Sequence, residues 1–331
     1  MAASVPVVDL ASFIAGDDPA GDTARTIAEA CERIGFLVVS GHGVDEQVIV
    51  DAQAAAREFF HLPMEEKRRV QPPVSWHFRG YEPPGGSALA KSLGNDTPPD
   101  LCELFRISRF DEPANVAAAA GGGDPELDYF FGPNLWPERP SSLRPALERY
   151  YAELEHLAMT IMRLFAIGLG LAEDWFEDKF DRHITNLCVN YYPPQVEPPA
   201  PGQLRRGAHS DYGSLTVLYQ DDAPGGLEVM TMDGEWEGVP HLPGTFVVNI
   251  GDLMAVWTNG RWRSTMHRVV NLPRDDADRE RISIPFFHQP NQDAVIECIP
   301  TCLAPGETAR FDPVTSGEWV RTKTRRQVGA A

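Results

Sequence analysis

The chain has 331 residues, 43% of them hydrophobic and 23% charged, which is the balance of a globular protein and not of a disordered one. Forty-eight acidic residues against 29 Lys and Arg give a net charge of -19, a field that repels a phosphate backbone and argues against nucleic acid and anionic membranes as partners. No apolar run is long enough for a spanning helix, the N-terminus MAASVPVVDLASF shows no secretory pattern, and five cysteines without a CxxC pair point to a reducing, cytoplasmic setting.

Val5 to Leu10 reads as a short strand. In Asp22 to Gly35, Ile27, Ala30, Cys31 and Ile34 recur at helical spacing, with Gly35 as a stop. Residues 36–40 (FLVVS) form a second strand, and Asp45 to His61 a second helix that Pro63 closes. Residues 71–100, with three PP pairs and one GG, read as loop. Ala117 to Gly123 (AAAAGGG) reads as a low-complexity surface loop. Ser141 to Gly170 carries the strongest helical period, through Leu143, Leu147, Tyr150, Leu154, Leu157, Ile161, Leu164 and Phe165.

From His183 the texture changes to short strands: Asn186–Tyr192, Ser214–Gln220, Leu227–Met232, Thr245–Ile250, Ala255–Thr258, Met266–Asn271 and Arg281–Phe287. Asn259-Gly260 signals a hairpin turn. The basic run Arg321 to Arg326 reads as a solvated tail. The expected organisation is one structural unit. It comprises an N-terminal α/β region over 1–140, a long backing helix over 141–182, a β core over 183–300 and a C-terminal tail over 301–331. A mainly antiparallel β region of this kind suits a sandwich, barrel or jelly roll.

His209-Ser-Asp211 places an imidazole and a carboxylate on one face of an extended chain. His267 follows after 55 residues, on another expected strand. Two His and one carboxylate on one side of a metal leave its other side open, which suits ferrous iron and dioxygen chemistry. An HxD triplet alone is common, and a lone His is more often a core residue. Arg281 and Ser283 share one strand face, where a guanidinium fork and a hydroxyl can hold the distal carboxylate of a dicarboxylic acid. An ordinary surface RxS pair fits the same residues. Asn190 and Tyr192 also point one way and can donate to ligand oxygens, or pack the core.

The motifs VPVVDL, GFLVVSGHGV, REFFHLPMEEK, RGYEPPGGSALAKS, DLCELFRIS, VNYYPP, HSDYGSLTVLYQDDAPGGLEV, VVNIGDLMAVWTNGRWRSTMHRVV and RISIPFFHQPN occur in this order. Over about Val5 to Pro300 they resemble the isopenicillin N synthase-like branch of the non-heme Fe(II)/2-oxoglutarate-dependent dioxygenases. The resemblance implies a mainly β fold with flanking helices, a double-stranded β-helix (jelly roll) core packed on N-terminal helices including one long helix. It implies His209, Asp211 and His267 as Fe(II) ligands. It implies Arg281 and Ser283 for the C5 carboxylate of 2-oxoglutarate, with Tyr192 and Asn190 assisting. It further implies O2 as cosubstrate, oxidation of a C–H bond of a small organic molecule by hydroxylation, desaturation or cyclisation, and release of succinate and CO2. Register with the family places Arg79, Tyr81, Phe105, Leu218 and Phe287 at the substrate, although Leu218 and Phe287 fit the core equally well; Arg79 and Arg106 fit either a substrate carboxylate or surface ion pairs. Members that use no 2-oxoglutarate also keep the RxS pair, so an iron-dependent oxidase is the alternative. The expected protein is a monomer or weak homo-oligomer, and part of 71–100 reads either as a lid moving through Gly80, Gly85 and Gly86 or as a static loop pinned by its prolines.

Overall fold

The computed structural model describes residues 5–18, 21–73, 79–109, 129–223 and 226–328. Its larger sheet has eight strands in the order β1 (Val7–Asp9), β2 (Phe36–Ser40), β10 (Phe246–Ile250), β7 (Leu215–Gln220), β12 (Arg281–His288), β5 (Asn186–Tyr192), β4 (Glu103–Ser108) and β3 (Gly80–Glu82). The smaller sheet runs β6 (Arg206–His209), β11 (His267–Val269), β8 (Leu227–Met230) and β9 (Trp236–Gly238). A two-stranded ribbon joins β13 (Val295–Ile296) to β14 (Val314–Thr315). Among the described residues all strand pairings are antiparallel except β1 with β2. From β5 to β12 the chain crosses repeatedly between the two larger sheets. That crossing is the double-stranded β-helix.

Strand period two decides the layers. On β5, Leu187, Val189 and Tyr191 join the apolar core shared with the helices, while Cys188 and Tyr192 join a second core between the sheets. The helix Leu143–Gly168 lies behind the larger sheet, burying Leu147, Tyr150, Leu154, Ile161 and Phe165 along one stripe. Each such buried side chain contributes about 1.5–3 kcal/mol. Helices Asp22–Arg33 and Glu46–Phe60 pack against it, the second begun by Asp45, whose carboxylate accepts from Gln47 N at 2.9 Å.

Several segments differ from the sequence reading. Residues 252–257 are a helix, not the strand expected at 255–258, because Leu253, Met254, Val256 and Trp257 bury on more than one side. Asn259 and Gly260 do take positive φ (55° and 76°), but they end that helix and do not turn a hairpin. The expected loop at 71–100 contains β3, and β4 follows it. Gly80 has φ 72°, and a Cβ there would meet Val70 O at 2.1 Å, so this glycine serves a fixed close approach. The basic tail is the helix Ser316–Gln327, started by Thr315 and burying Val320, Thr324 and Gln327. The alanine-glycine run 117–123 lies outside the described residues.

Candidate metal centre and cosubstrate pocket

His209 ends β6 and His267 begins β11, and the two are direct cross-strand partners. Asp211 lies just past β6. One ligand atom from each residue falls within 4.8 Å of the others, and all three residues are buried. Nε2 of each imidazole lies 3.7 Å from Asp211 Oδ1. Their outer nitrogens are spoken for: His209 Nδ1 donates to Gly207 O at 2.8 Å, and His267 Nδ1 to Thr265 O at 3.1 Å. A carbonyl only accepts, so both protons sit on Nδ1 and both Nε2 lone pairs face the centre. Burial, with His267 and Arg206 close by, holds His209 well below the usual imidazole range, which keeps it neutral and able to ligate. Asp211 Oδ2 accepts from Thr216 Oγ1 at 2.5 Å and Asn249 Nδ2 at 2.6 Å, which leaves Oδ1 for the centre. Thr216 and Asn249 are themselves paired across β7 and β10. Sequence reasoning missed both, although each sits on a strand it had found.

The four residues expected at a dicarboxylate also meet. Arg281 opposes Tyr192, and Ser283 opposes Asn190, on β12 and β5. Asn190 Nδ2 donates to Ser283 Oγ at 3.2 Å. Arg281 is 1% exposed. Its Nη2 donates to Gln220 Oε1 at 3.0 Å, but Nε and Nη1 have no hydrogen-bond partner among the described residues. A buried guanidinium with two orphan nitrogens demands an anion, since an unmet charged donor in the interior is costly. Both it and the triad line one cavity, closed between the sheets by Phe36, Leu218, Leu227, Val269 and Phe287.

Of the five residues expected at the substrate, Leu218 and Phe287 line this cavity. Arg79, Tyr81 and Phe105 do not. Phe105 faces the helices, as its alternation with Arg106 on β4 requires, and packs on Phe59 and Trp136. Tyr81 is fully buried and its hydroxyl donates to Glu103. Arg79 donates to Tyr129 O outside the cavity lining. Arg106, one residue from Phe105, does line the cavity, and the sequence reading passed over Arg206, Tyr212, Asn186, Gln289 and Gln327. Leu89 from the short turn Leu89–Leu93 and Val320 from the C-terminal helix complete the wall. Tyr212 donates to Gln327 Oε1 at 3.1 Å, tying that helix to the residue after Asp211.

Residues 184–290 match the 2OG-Fe(II) oxygenase superfamily, and residues 5–139 match the family described as non-haem dioxygenase in morphine synthesis N-terminal. The chain is 33% identical over 327 residues to homoarginine-6-hydroxylase 2-ODD-233 of Oryza sativa subsp. japonica, across 95% of this chain and 94% of that one. The chain belongs to the 2OG-Fe(II) oxygenase superfamily. A second similar member is validamycin A dioxygenase of Streptomyces hygroscopicus subsp. limoneus, 32% identical over 98% of this chain and 86% of its own length. Among solved structures, a full-length Neurospora crassa protein in complex with alpha-KG superposes with a TM-score of 0.83 at 29% identity, across 97% of this chain and 95% of that one. This 2OG-Fe(II) oxygenase is a non-heme iron dioxygenase acting on a small molecule, and dependence on 2-oxoglutarate is favoured over the oxidase alternative. The His-Asp-His donor set fits Fe(II). Among the described residues no helix is long and apolar enough to cross a membrane.

Proposed function

We propose that His209, Asp211 and His267 hold the ferrous iron, and that Arg281, with Ser283, Tyr192 and Asn190, holds the distal carboxylate of 2-oxoglutarate. The observation that carries this is the pair of buried, unpartnered nitrogens on Arg281, a residue that lines the same cavity as the triad. Iron with 2-oxoglutarate and dioxygen supplies the oxidising power for a C–H bond, with succinate and CO2 as coproducts.

The chain's own residues do the rest. Thr216 and Asn249 aim the Asp211 carboxylate, and the carbonyls of residues 207 and 265 fix both imidazoles. The pairing of β5 with β12 sets where the Arg281 fork stands relative to the triad. Leu218, Phe287, Leu227 and Val269 exclude water, and no side-chain acid or base is required beside the reacting carbon. All these residues come from one chain, so a monomer is sufficient. The net charge of -19 disfavours nucleic acid, and the free cysteines suit a reducing cytoplasm.

The named relatives act on different compounds, homoarginine and validamycin A among them, so they do not select one substrate. The test is succinate release over a metabolite panel. Release should require Fe(II), 2-oxoglutarate and O2, and vanish in Arg281→Ala. Substrate oxidation that proceeds without 2-oxoglutarate would overturn the assignment in favour of an oxidase.

A further inference from the structure

On the reading just given, we propose that Arg205 is a positioning residue for the distal carboxylate of 2-oxoglutarate. Its buried charge, added to that of Arg281, makes this end of the cavity select a carboxylate over an uncharged group of the same size.

Arg205 stands immediately before β6, four positions ahead of His209. Like Arg281 it is only 1% exposed. Its Nη2 donates to Arg279 O at 3.3 Å, two residues before Arg281, so the backbone leading into β12 fixes it. Its Nη1 is buried with no hydrogen-bond partner among the described residues. The two guanidinium groups share one ring: their central carbons lie 5.8 Å (Arg205) and 5.0 Å (Arg281) from the centre of Tyr192. An aromatic face attracts a cation but carries no net charge, so it neutralises neither of them.

The charges around this ring do not balance. Among the described residues, neither Arg205 nor Arg281 has a carboxylate within ion-pair distance. Asp221 acts on both from further off. Its Oδ2 is held by the Ile282 N–H at 2.7 Å, and burial raises its carboxyl, so it offsets no more than one of the two charges. The other cations nearby are matched: Arg57 by Glu280 at 2.7 Å and Arg206 by Asp100 at 3.3 Å.

Arg281 with Asp221 alone would come close to neutral, and a neutral site has little reason to demand an anion. Arg205 tips the sum to an excess of positive charge, which is costly in a low-dielectric interior until an anion arrives. Arg205 is absent from the cavity lining, whereas Arg281 is part of it. It therefore acts through Arg281 and the Tyr192 ring, by charge and not by touching the carboxylate.

The test compares ligand charges on the protein loaded with Fe(II) under nitrogen. Apparent affinities for 2-oxoglutarate and for its 5-methyl ester, uncharged at C5, are taken from the rise in melting temperature with ligand concentration. The native protein should prefer 2-oxoglutarate. Arg205→Gln should cut that preference about tenfold, weakening 2-oxoglutarate and leaving the ester nearly unchanged. A residue that merely supported the fold would weaken both ligands together and leave their ratio alone. Should Arg205→Gln fail to fold, Arg205→Met carries the same readout. An unchanged ratio in a folded Arg205 variant overturns the proposal, whether or not both affinities drop. The reading beneath it has its own check in Arg281→Ala, which should abolish the preference. If it does so while the Arg205 variants keep the native ratio, Arg281 retains the distal carboxylate and Arg205 has no part in it. If the native protein shows no preference between the two ligands, the distal-carboxylate reading itself falls and takes this proposal with it.

Discussion

The two halves of the cavity are built differently. The triad and the Arg281 end rest on strands whose functional residues lie two apart in short motifs, His209 with Asp211 and Arg281 with Ser283. The Asn186 end is assembled from β4, β5, the end of β12, the turn at Leu89–Leu93 and the C-terminal helix, which are far apart in the chain. The first half needs one fixed geometry, and strand register supplies it. The second adds to β5 and β12 a wall from elements that carry none of the triad or Arg281-end residues, namely β4, the turn at Leu89–Leu93 and the C-terminal helix. On the proposed assignment, substrate contacts can therefore vary around a constant triad.

The comparison breaks most completely if the triad is wrong. His209→Ala, Asp211→Ala and His267→Ala should each lose iron while keeping the fold, and His241→Ala should retain it. Metal analysis of the purified variants decides, and full occupancy in any triad variant removes that residue from the site. Phe105→Ala should cost about 3–5 kcal/mol of stability in denaturant titration, with the KM for 2-oxoglutarate unchanged, because the ring packs toward the helices. A change in substrate preference with little loss of stability would return Phe105 to the pocket.

Arg281→Ala should cost about 2–5 kcal/mol in 2-oxoglutarate binding, measured as apparent KM, and Arg281→Lys should rescue poorly because a point charge does not reproduce the fork. Asn249→Ala should lower metal affinity about 10–100-fold by releasing Asp211 Oδ2, as read by competition with a chelator. The smallest effect concerns Glu280, beside Arg281. Burial pushes its carboxyl up, but hydrogen bonds from His61, Tyr191 and Arg57 outweigh this and hold it below the usual range. A lowered carboxyl contributes stability that is present above its unfolded value and is lost as pH falls through the folded one. The melting-temperature gap between the native protein and Glu280→Gln should therefore shrink as pH falls through the carboxylate range. A gap that stays constant would mean that Glu280 has no net charge-dependent role.

Much of the core was legible residue by residue. Residues 36–40 and 186–192 are strands with the bounds expected, and the long helix runs 143–168 inside the span 141–170. These segments carry an uninterrupted apolar or β-branched pattern, so local period and burial agree. Strand β4 was missed because Glu103 and Arg106 interrupt its apolar pattern; both are buried and neutralised by Lys67 and Glu82. The C-terminal helix was missed because its buried face is made largely of Ser316, Gly317, Thr324 and Gln327, with Val320 the one large apolar residue among them.

The sequence by itself determined the texture of short strands after His183 and the placing of His209 with Asp211, and of Arg281 with Ser283, on one face, because alternation along a strand is a local property and puts residues two apart on one side. Only the tertiary structure decided which of the cavity's arginines meet a carboxylate. Among the described residues Arg281 has no carboxylate within ion-pair distance, Asp221 acting on it only from further off, while Arg106 finds Glu82 24 positions away and Arg206 finds Asp100 106 positions away. A buried charge is neutralised by whatever the fold brings beside it, and that neighbour is set by strand pairing between distant segments. The same pairing turns Phe105 toward the helices and Arg106 toward the cavity, a one-residue difference that the family register alone did not resolve.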